Sequence, residues 1–413
     1  MDFKKIIEQK DSTAKYIIDE ITHIIKTCGK RDPGSEGEKK SCEYMADVLK
    51  NECGCEDVKI ESYKVNPRAF YGWIYFTCTF VLLSVVLFFF APVFGIPLII
   101  AGFVLTILEF GLYKKTLDPL FKEKTSHNVT AIKKCTGETK RRIIFNGHPD
   151  ATWEWPVNYA LGGVGFEGHA ILVVLGALYY LILSIISVAK NGIGFGMPDM
   201  ADPLTKAGLI GLIFVPFVIG LYFMENYNRV VDGANDNLTG CYMGIAVLKA
   251  LKDEGIELEN TEVGVILTGS EEIGLRGAKA WVEAHPDEFK DVPTFIYSFD
   301  TINDPKYLMA NYRDLNGTVK TDAELCDLFV EAAEAVGVPC QKGWIPPLGG
   351  AVDAAGFAQG GFRAAGITGL NHKLERYYHT RLDTYTNMNK DGIANCFAAT
   401  VKTLEMFDNG AKQ

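Results

Sequence analysis

TEVGVILTGSEEIGLRGAKAWVEA, residues 261–284, changes its hydrophobic period once. Residues 261–269 are rich in Val, Ile and Leu, the composition of a buried strand, while 274–286 carries the spacing of a helix. Between them stand two adjacent glutamates, Glu271 and Glu272, at the point where a strand hands over to a helix. The same alternation continues in both directions. Downstream, TFIYSFD (294–300) is a second apolar strand; upstream, NLTGCYMGIAVLKALKDEG (237–255) is a helix opening after a polar turn. RRIIFNG (141–147), HNVTAI (127–132) and VKIESYKV (58–65) are further strands, and 12–50 is helical with a turn at RDPGSEG. Strands alternating with helices predict an α/β fold, a mixed central sheet flanked by helices.

Four apolar runs interrupt this pattern. Residues 69–91, 169–189 and 207–224 contain no Asp, Glu, Lys or Arg, and 93–113 contains only Glu109. At about 1.5 Å per helical residue, such runs match a hydrocarbon core of about 30 Å. The expected organisation is a polar catalytic part made of 1–68, 114–168 and 225–413, with inserted transmembrane hairpins at 69–113 and 169–224. Because each hairpin crosses and returns, the polar parts share one side. Lys64, Arg68, Lys114, Lys115, Lys122 and Arg229 flank that side, against Lys190 and Lys206 on the other, which predicts a cytoplasmic catalytic part. Glu109, near the end of its run, is expected to be satisfied by a partner or to reach the interface. The formal net charge of −10 and the lack of a basic run argue against a nucleic-acid partner. The amino terminus has no secretory signal pattern, and the ten cysteines form no Cys-x-x-Cys pair, so they are expected to be reduced packing residues.

Five short stretches at strand ends or helix starts hold metal-ligand residue types: NGHPD (146–150), DGANDNLTG (232–240), TGSEEIGLRGA (268–278), YSFDT (297–301) and YYHTRLDT (377–384). Strand ends are where sites collect in α/β sheets. In this order the set resembles the di-zinc exopeptidase family that includes bacterial leucine aminopeptidases, glutamate carboxypeptidase II and glutaminyl cyclase. CGKRDPGSEGEKKSCEYMADVLK (28–50) and AVDAAGF (351–357) add to the resemblance, which spans the polar chain from about residue 20 onward. It implies that His148 and Asp300 bind one zinc, Glu272 and His379 the other, and that Asp236 bridges them. Imidazole and carboxylate suit zinc, and two dications need a bridging anion to moderate their repulsion; cobalt or manganese fit the same donor set. The resemblance further implies that Glu271 is the general base, that Asp150 and Asp383 orient His148 and His379, and that Tyr378 donates to a developing oxyanion. The reaction implied is hydrolysis of a peptide bond by hydroxide held on the metals.

In soluble relatives the bridging aspartate follows the first histidine after a short loop, whereas here Asp236 comes 88 positions after His148 with the second hairpin between them. Trp153 and Trp155 in HPDATWEWP are expected at the bilayer interface, where a peptide or amphiphilic amide substrate would approach. The leading function is an aminopeptidase. Carboxypeptidase and N-acyl amino acid amidase activities use the same metal core, with Arg363 a candidate for meeting a substrate carboxylate, and a non-catalytic membrane receptor or complex subunit is the reading from another class.

Overall fold

The computed structural model describes residues 3–193, 196–373 and 375–411. The chain forms two compact units, Met1–Pro67 with Glu123–Glu154 and Asn228–Gln413, and Arg68–Lys122 with Trp155–Tyr227. Residues 114–122 and 155–168, expected with the polar part, pack with the helical unit instead.

In the first unit eight strands, counted among the described residues, form one mixed sheet. They are β1 (Asp57–Val65), β2 (Lys124–Lys133), β3 (Arg141–Gly147), β4 (Thr261–Thr268), β5 (Thr294–Ile302), β6 (Leu308–Asn311), β7 (Gln341–Gly343) and β8 (Arg363–Gly369). Their order across the sheet is β1-β2-β4-β3-β5-β8-β6-β7. β4, β3, β5 and β8 run parallel at the centre; β1 and β2 are antiparallel on one side, and β6 is antiparallel to β8 on the other. A central parallel strand is covered on both faces, and all nine residues of β5 are buried. Alternate side chains feed two cores. Ile143, Phe145, Val265, Leu267, Phe295, Tyr297 and Phe299 pack with the helices Lys10–Thr27, Thr239–Asp253 and Lys390–Asp408; Ile144, Ile266 and Ile296 pack with Trp281 and Phe357 on the opposite face.

The strands β6, β7 and β8 were not legible in the sequence. β8, RAAGITG, is short and built largely of small residues, so it has no amphipathic pattern to read. All ten cysteines are free thiols, eight of them buried.

The second unit is helical. Among the described residues, four helices are long and apolar enough to cross a membrane: Trp73–Phe90, Pro92–Gly111, Pro156–Asn191 and Pro203–Leu221. The third begins well before the apolar run at 169, because Pro156 suits a first helical turn; it kinks at Gly162, whose φ of +70° is left-handed. The fourth passes through a short 3₁₀ turn at Leu212–Phe214 before Pro216, which lacks an amide donor. Small residues and hydroxyls join these helices to one another. Thr77 Oγ1 donates to Gly102 O (3.0 Å), Ser84 Oγ to Gly95 O (3.0 Å), and Tyr179 and Tyr180 donate to Ala207 O and Gly208 O (2.7 and 2.8 Å). A Cβ at Gly208 would lie 2.2 Å from the Phe88 ring. Val86, Val104, Ile171, Ile182 and Ile213 point outward and are half exposed or more. Glu109 is buried and accepts from Leu117 N at 2.7 Å, which is the partnered outcome expected for it.

Trp153 and Trp155 are both buried, Trp155 stacking on Phe166 at 4.7 Å between centroids and meeting Tyr71 edge-on, a packing of large aromatic surfaces.

Candidate metal centre

The carboxyl ends of the four central parallel strands converge, and each carries a ligand-type residue. His148 directly follows β3. Glu271 and Glu272 follow β4 after a turn in which Ser270 takes a left-handed φ of +54°; Asp300 lies in the last turn of β5, paired with Thr368 of β8. His379, also left-handed at φ +54°, lies in the loop after β8. Asp236 lies between the left-handed Gly233 and the helix Thr239–Asp253. Main chain packs on main chain at this junction: a Cβ on Gly147 would come within 2.3 Å of Cys241 N, and one on Gly240 within 2.3 Å of Phe299 O.

The side chains form one buried cluster. His148 Nε2 faces Asp236 Oδ1 at 3.4 Å, Glu271 Oε2 at 3.6 Å and Asp300 Oδ2 at 3.9 Å. His379 Nε2 faces Asp236 Oδ2 at 3.2 Å and Glu272 Oε2 at 3.1 Å. Asp236 therefore turns one carboxylate oxygen toward each imidazole. Zinc bonds of about 2.0–2.1 Å arranged tetrahedrally put neighbouring ligand atoms about 3.3 Å apart, the scale of these contacts. Ligand atoms of His148, Glu271 and Asp300 lie within 4.8 Å of one another, as do those of His148, Asp236 and Glu272. His148 Nε2 is buried without a hydrogen-bond partner.

Electrostatics of the cluster favour cations. Burial acts to lower the His379 pKa, but the charges of Glu272 and Asp236 outweigh it and carry it up to about 10. His148 is likewise driven well up, burial being outweighed by Glu271, Asp150 and Asp236. Asp236 goes the other way: burial would raise it, and its attraction to both imidazoles holds it below the usual carboxylate range. Burial raises Glu271 and Asp300 well above that range, with neighbouring carboxylates adding to it. A site that draws protons onto two histidines is one in which a dication replaces those protons.

The surrounding residues hold the ligand loops. Asp150 Oδ1 lies 3.3 Å from His148 Nδ1 and accepts from Glu271 N at 3.1 Å, while its Oδ2 accepts from Glu272 N at 3.2 Å. One carboxylate thus orients the histidine and fixes the Glu-Glu turn. Asp383, four residues after His379, is bonded to the Asp236 loop. Its bonds come from the amide of Asn235 (2.8 Å), the Asn235 side chain (2.9 Å) and the amide of Asp236 (3.1 Å), so it braces the Asp236 loop. Tyr378 stacks on the His379 ring at 4.0 Å, and its hydroxyl lies beside Gly350. Arg363 forks onto Asp322 and Glu324 near the start of β8, the opposite end from the cluster, so it does not serve the site.

Two supports went unread in the sequence. Arg31, fully buried, donates to the carbonyls of Pro149, Asp232 and Gly233, tying the His148 loop to the Asp236 loop. Glu38 accepts from Ser270 N and Oγ (2.8 and 3.0 Å) and from Ser126 Oγ, holding the turn before Glu271. Both stand in KRDPGSEGE, where charged residues at a turn look solvated until the fold buries them.

Residues 221–404 match the family model described as Peptidase family M28. No curated protein sequence matches the chain. Among solved structures, the zinc aminopeptidase BSAP of Bacillus subtilis superposes with a TM-score of 0.56 at 14% identity, covering 95% of each chain. An aminopeptidase from Aneurinibacillus sp. strain AM-1 gives 0.52 at 13% identity, over 97% of this chain and 93% of that one. Glutaminyl cyclase of Porphyromonas gingivalis gives 0.52 at 10%, over 96% and 98%. The chain has the aminopeptidase-like fold, and the zinc exopeptidase family named from its motifs is the one its sequence and fold are similar to. Together these findings support a zinc metallopeptidase.

Proposed function

We propose that this chain, whose residues 221–404 follow the M28 peptidase pattern, is a membrane-anchored zinc aminopeptidase with a two-ion site. The observation that carries the reading is the Asp236 carboxylate, one oxygen facing His148 and the other His379. His148 and Asp300 would hold one zinc, His379 and Glu272 the other, and Asp236 both. When bound, the ions polarise the scissile carbonyl and lower the pKa of the attacking water.

The chain's own residues do the rest. Glu271, left outside the two ligand pairs and 3.6 Å from His148, takes the proton of the attacking water and returns it to the leaving amine. Asp150 keeps the Glu271 amide and the His148 ring in register through one carboxylate. Tyr378, held flat against His379, presents its hydroxyl to the oxyanion. An aminopeptidase is favoured over a carboxypeptidase because Arg363, the candidate for meeting a substrate carboxylate, is committed to Asp322 and Glu324.

Four apolar helices support anchoring in the bilayer, and the basic flanks of the polar segments support a catalytic unit facing the cytoplasm. The substrates are then peptides or amphiphilic amides on that side. The test is hydrolysis of matched free-amino and amino-blocked peptides by the full chain in detergent, with zinc measured per chain. Release of amino-terminal residues with two zinc ions bound is the expected result. Cleavage of blocked peptides alone would replace it with a carboxypeptidase or amidase, and zinc binding without turnover of any peptide would favour a receptor.

A further inference from the structure

Glu154 is the last residue of the first unit before the chain passes into the helical unit, and Asn228 is where the chain returns. It is 1% exposed, yet it is a carboxylate with no place in the ligand set. Its partner is Arg381, two residues beyond His379. Arg381 Nε donates to Glu154 Oε1 at 2.5 Å, Nη2 to Oε2 at 2.7 Å, and the Arg381 amide to Oε1 at 3.3 Å. Side chain and main chain of the His379 segment thus converge on one carboxylate, a two-pronged geometry that restricts rotation as well as distance. On the return side, Arg229 Nε lies 3.6 Å from Glu154 Oε2, and Val231 N donates to Thr152 O at 3.0 Å.

The same segment is fastened further to the stretch that follows the returning strand Asn226–Val230. Thr384 Oγ1 donates to Asp232 Oδ2 at 2.7 Å, and Asp383 accepts from the amides of Asn235 and Asp236. Glu154 differs from these in holding the segment from the outgoing strand, six residues after His148.

We propose that Glu154 is a positioning residue: through Arg381 it fixes the His379 loop to the stretch between His148 and the inserted helices, keeping the two histidines at the separation Asp236 spans. The proposal rests on the metallopeptidase reading. It also accounts for how 88 positions and two long helices are accommodated between His148 and Asp236: the strands leaving and returning are pinned to each other and to the third ligand loop at their base.

The test uses the full chain in detergent, with Glu154→Gln, Arg381→Gln and the double variant, each titrated with zinc against a competing chelator. Groups that orient a metal ligand typically contribute 10- to 100-fold in metal affinity or activity. Either single variant should bind the weaker zinc about 10- to 100-fold less tightly, with kcat lowered at limiting zinc, restored by excess zinc, and KM within about threefold of native. The double variant should be no worse than the singles, because the two residues act as one unit. Unchanged zinc affinity in both singles, losses that multiply in the double, or a kcat deficit that excess zinc does not relieve would overturn it. Arg381, partly exposed, carries the test if Glu154→Gln does not fold. A native protein that binds no zinc would sink the metallopeptidase reading and this proposal together, whereas a normal native enzyme with unaltered variants sinks the positioning role alone.

Discussion

Replacing Glu271 by Gln tests the division of labour between two adjacent acids. The turn that presents Glu271 is held by its main chain: its amide donates to Asp150, and Ser270 before it is gripped by Glu38. Removing the carboxylate charge therefore leaves the turn and both ligand pairs in place. In metal-free protein burial already drives Glu271 toward its neutral form, and glutamine is a neutral group of the same size, so the metal-free variant should unfold no more readily than native protein. What the variant loses is the proton acceptor. A positioned general base contributes about 10²- to 10⁴-fold, equal to about 3–5 kcal/mol of barrier. The expected result is a kcat reduced by that factor, with KM changed by less than about threefold and zinc per chain unchanged. Steady-state kinetics on a free-amino dipeptide amide, with metal analysis of the same sample, measures all three. A kcat within tenfold of native at equal zinc content would refute Glu271 as the base, and loss of one zinc would make it a ligand instead.

Gly147→Ala should lower stability by about 1–3 kcal/mol, at the upper end because the new methyl meets the main chain of Cys241 and Gly240, which has no rotamer to yield; chemical denaturation measures it. Asp314 is buried between the amides of Leu315 and Val352, and burial raises its pKa from 3.8 to about 7. The folded state then holds a proton that the unfolded state has released, so this group's contribution to stability falls as pH rises from about 4 to about 7. The thermal stability of native protein should fall over that window relative to Asp314→Asn, and parallel curves would show that the group is not raised. Ile182→Arg, placing a charge on an outward-facing position of the third apolar helix, should cost about 2.5–3.5 kcal/mol of membrane insertion, read as the fraction of chains with that helix inserted.

The candidate ligand residues could be read from the sequence because each sits in a short motif next to a strand or helix with a clear period. β3, β4 and β5 are strongly apolar, so NGHPD, TGSEEIG and YSFDT stand out at their ends. The supports were not readable in this way. Arg31, Glu38, Glu154 and Arg381 are ordinary charged residues to a reader of the sequence, and what singles them out is a partner more than 80 positions away: Pro149 for Arg31, Ser126 and Ser270 for Glu38, and each other for Glu154 and Arg381. Asp383 likewise accepts from the amide of Asp236, 147 positions earlier, a partner that only the fold supplies.

Period, ligand type and motif order are local properties, and from them the sequence by itself determined an α/β fold, four apolar helices and, through the resemblance to di-zinc exopeptidases, nine candidate residues for a metal centre. Which strands become neighbours is a matter of long-range pairing. Only the tertiary structure set β3 between β4 and β5, brought four strand ends to one place, and turned the two oxygens of Asp236 toward two histidines 231 positions apart in the chain. The physical reason is burial. A carboxylate or guanidinium in a turn costs little in water, and its role is decided when folding removes the water and leaves it a single set of partners.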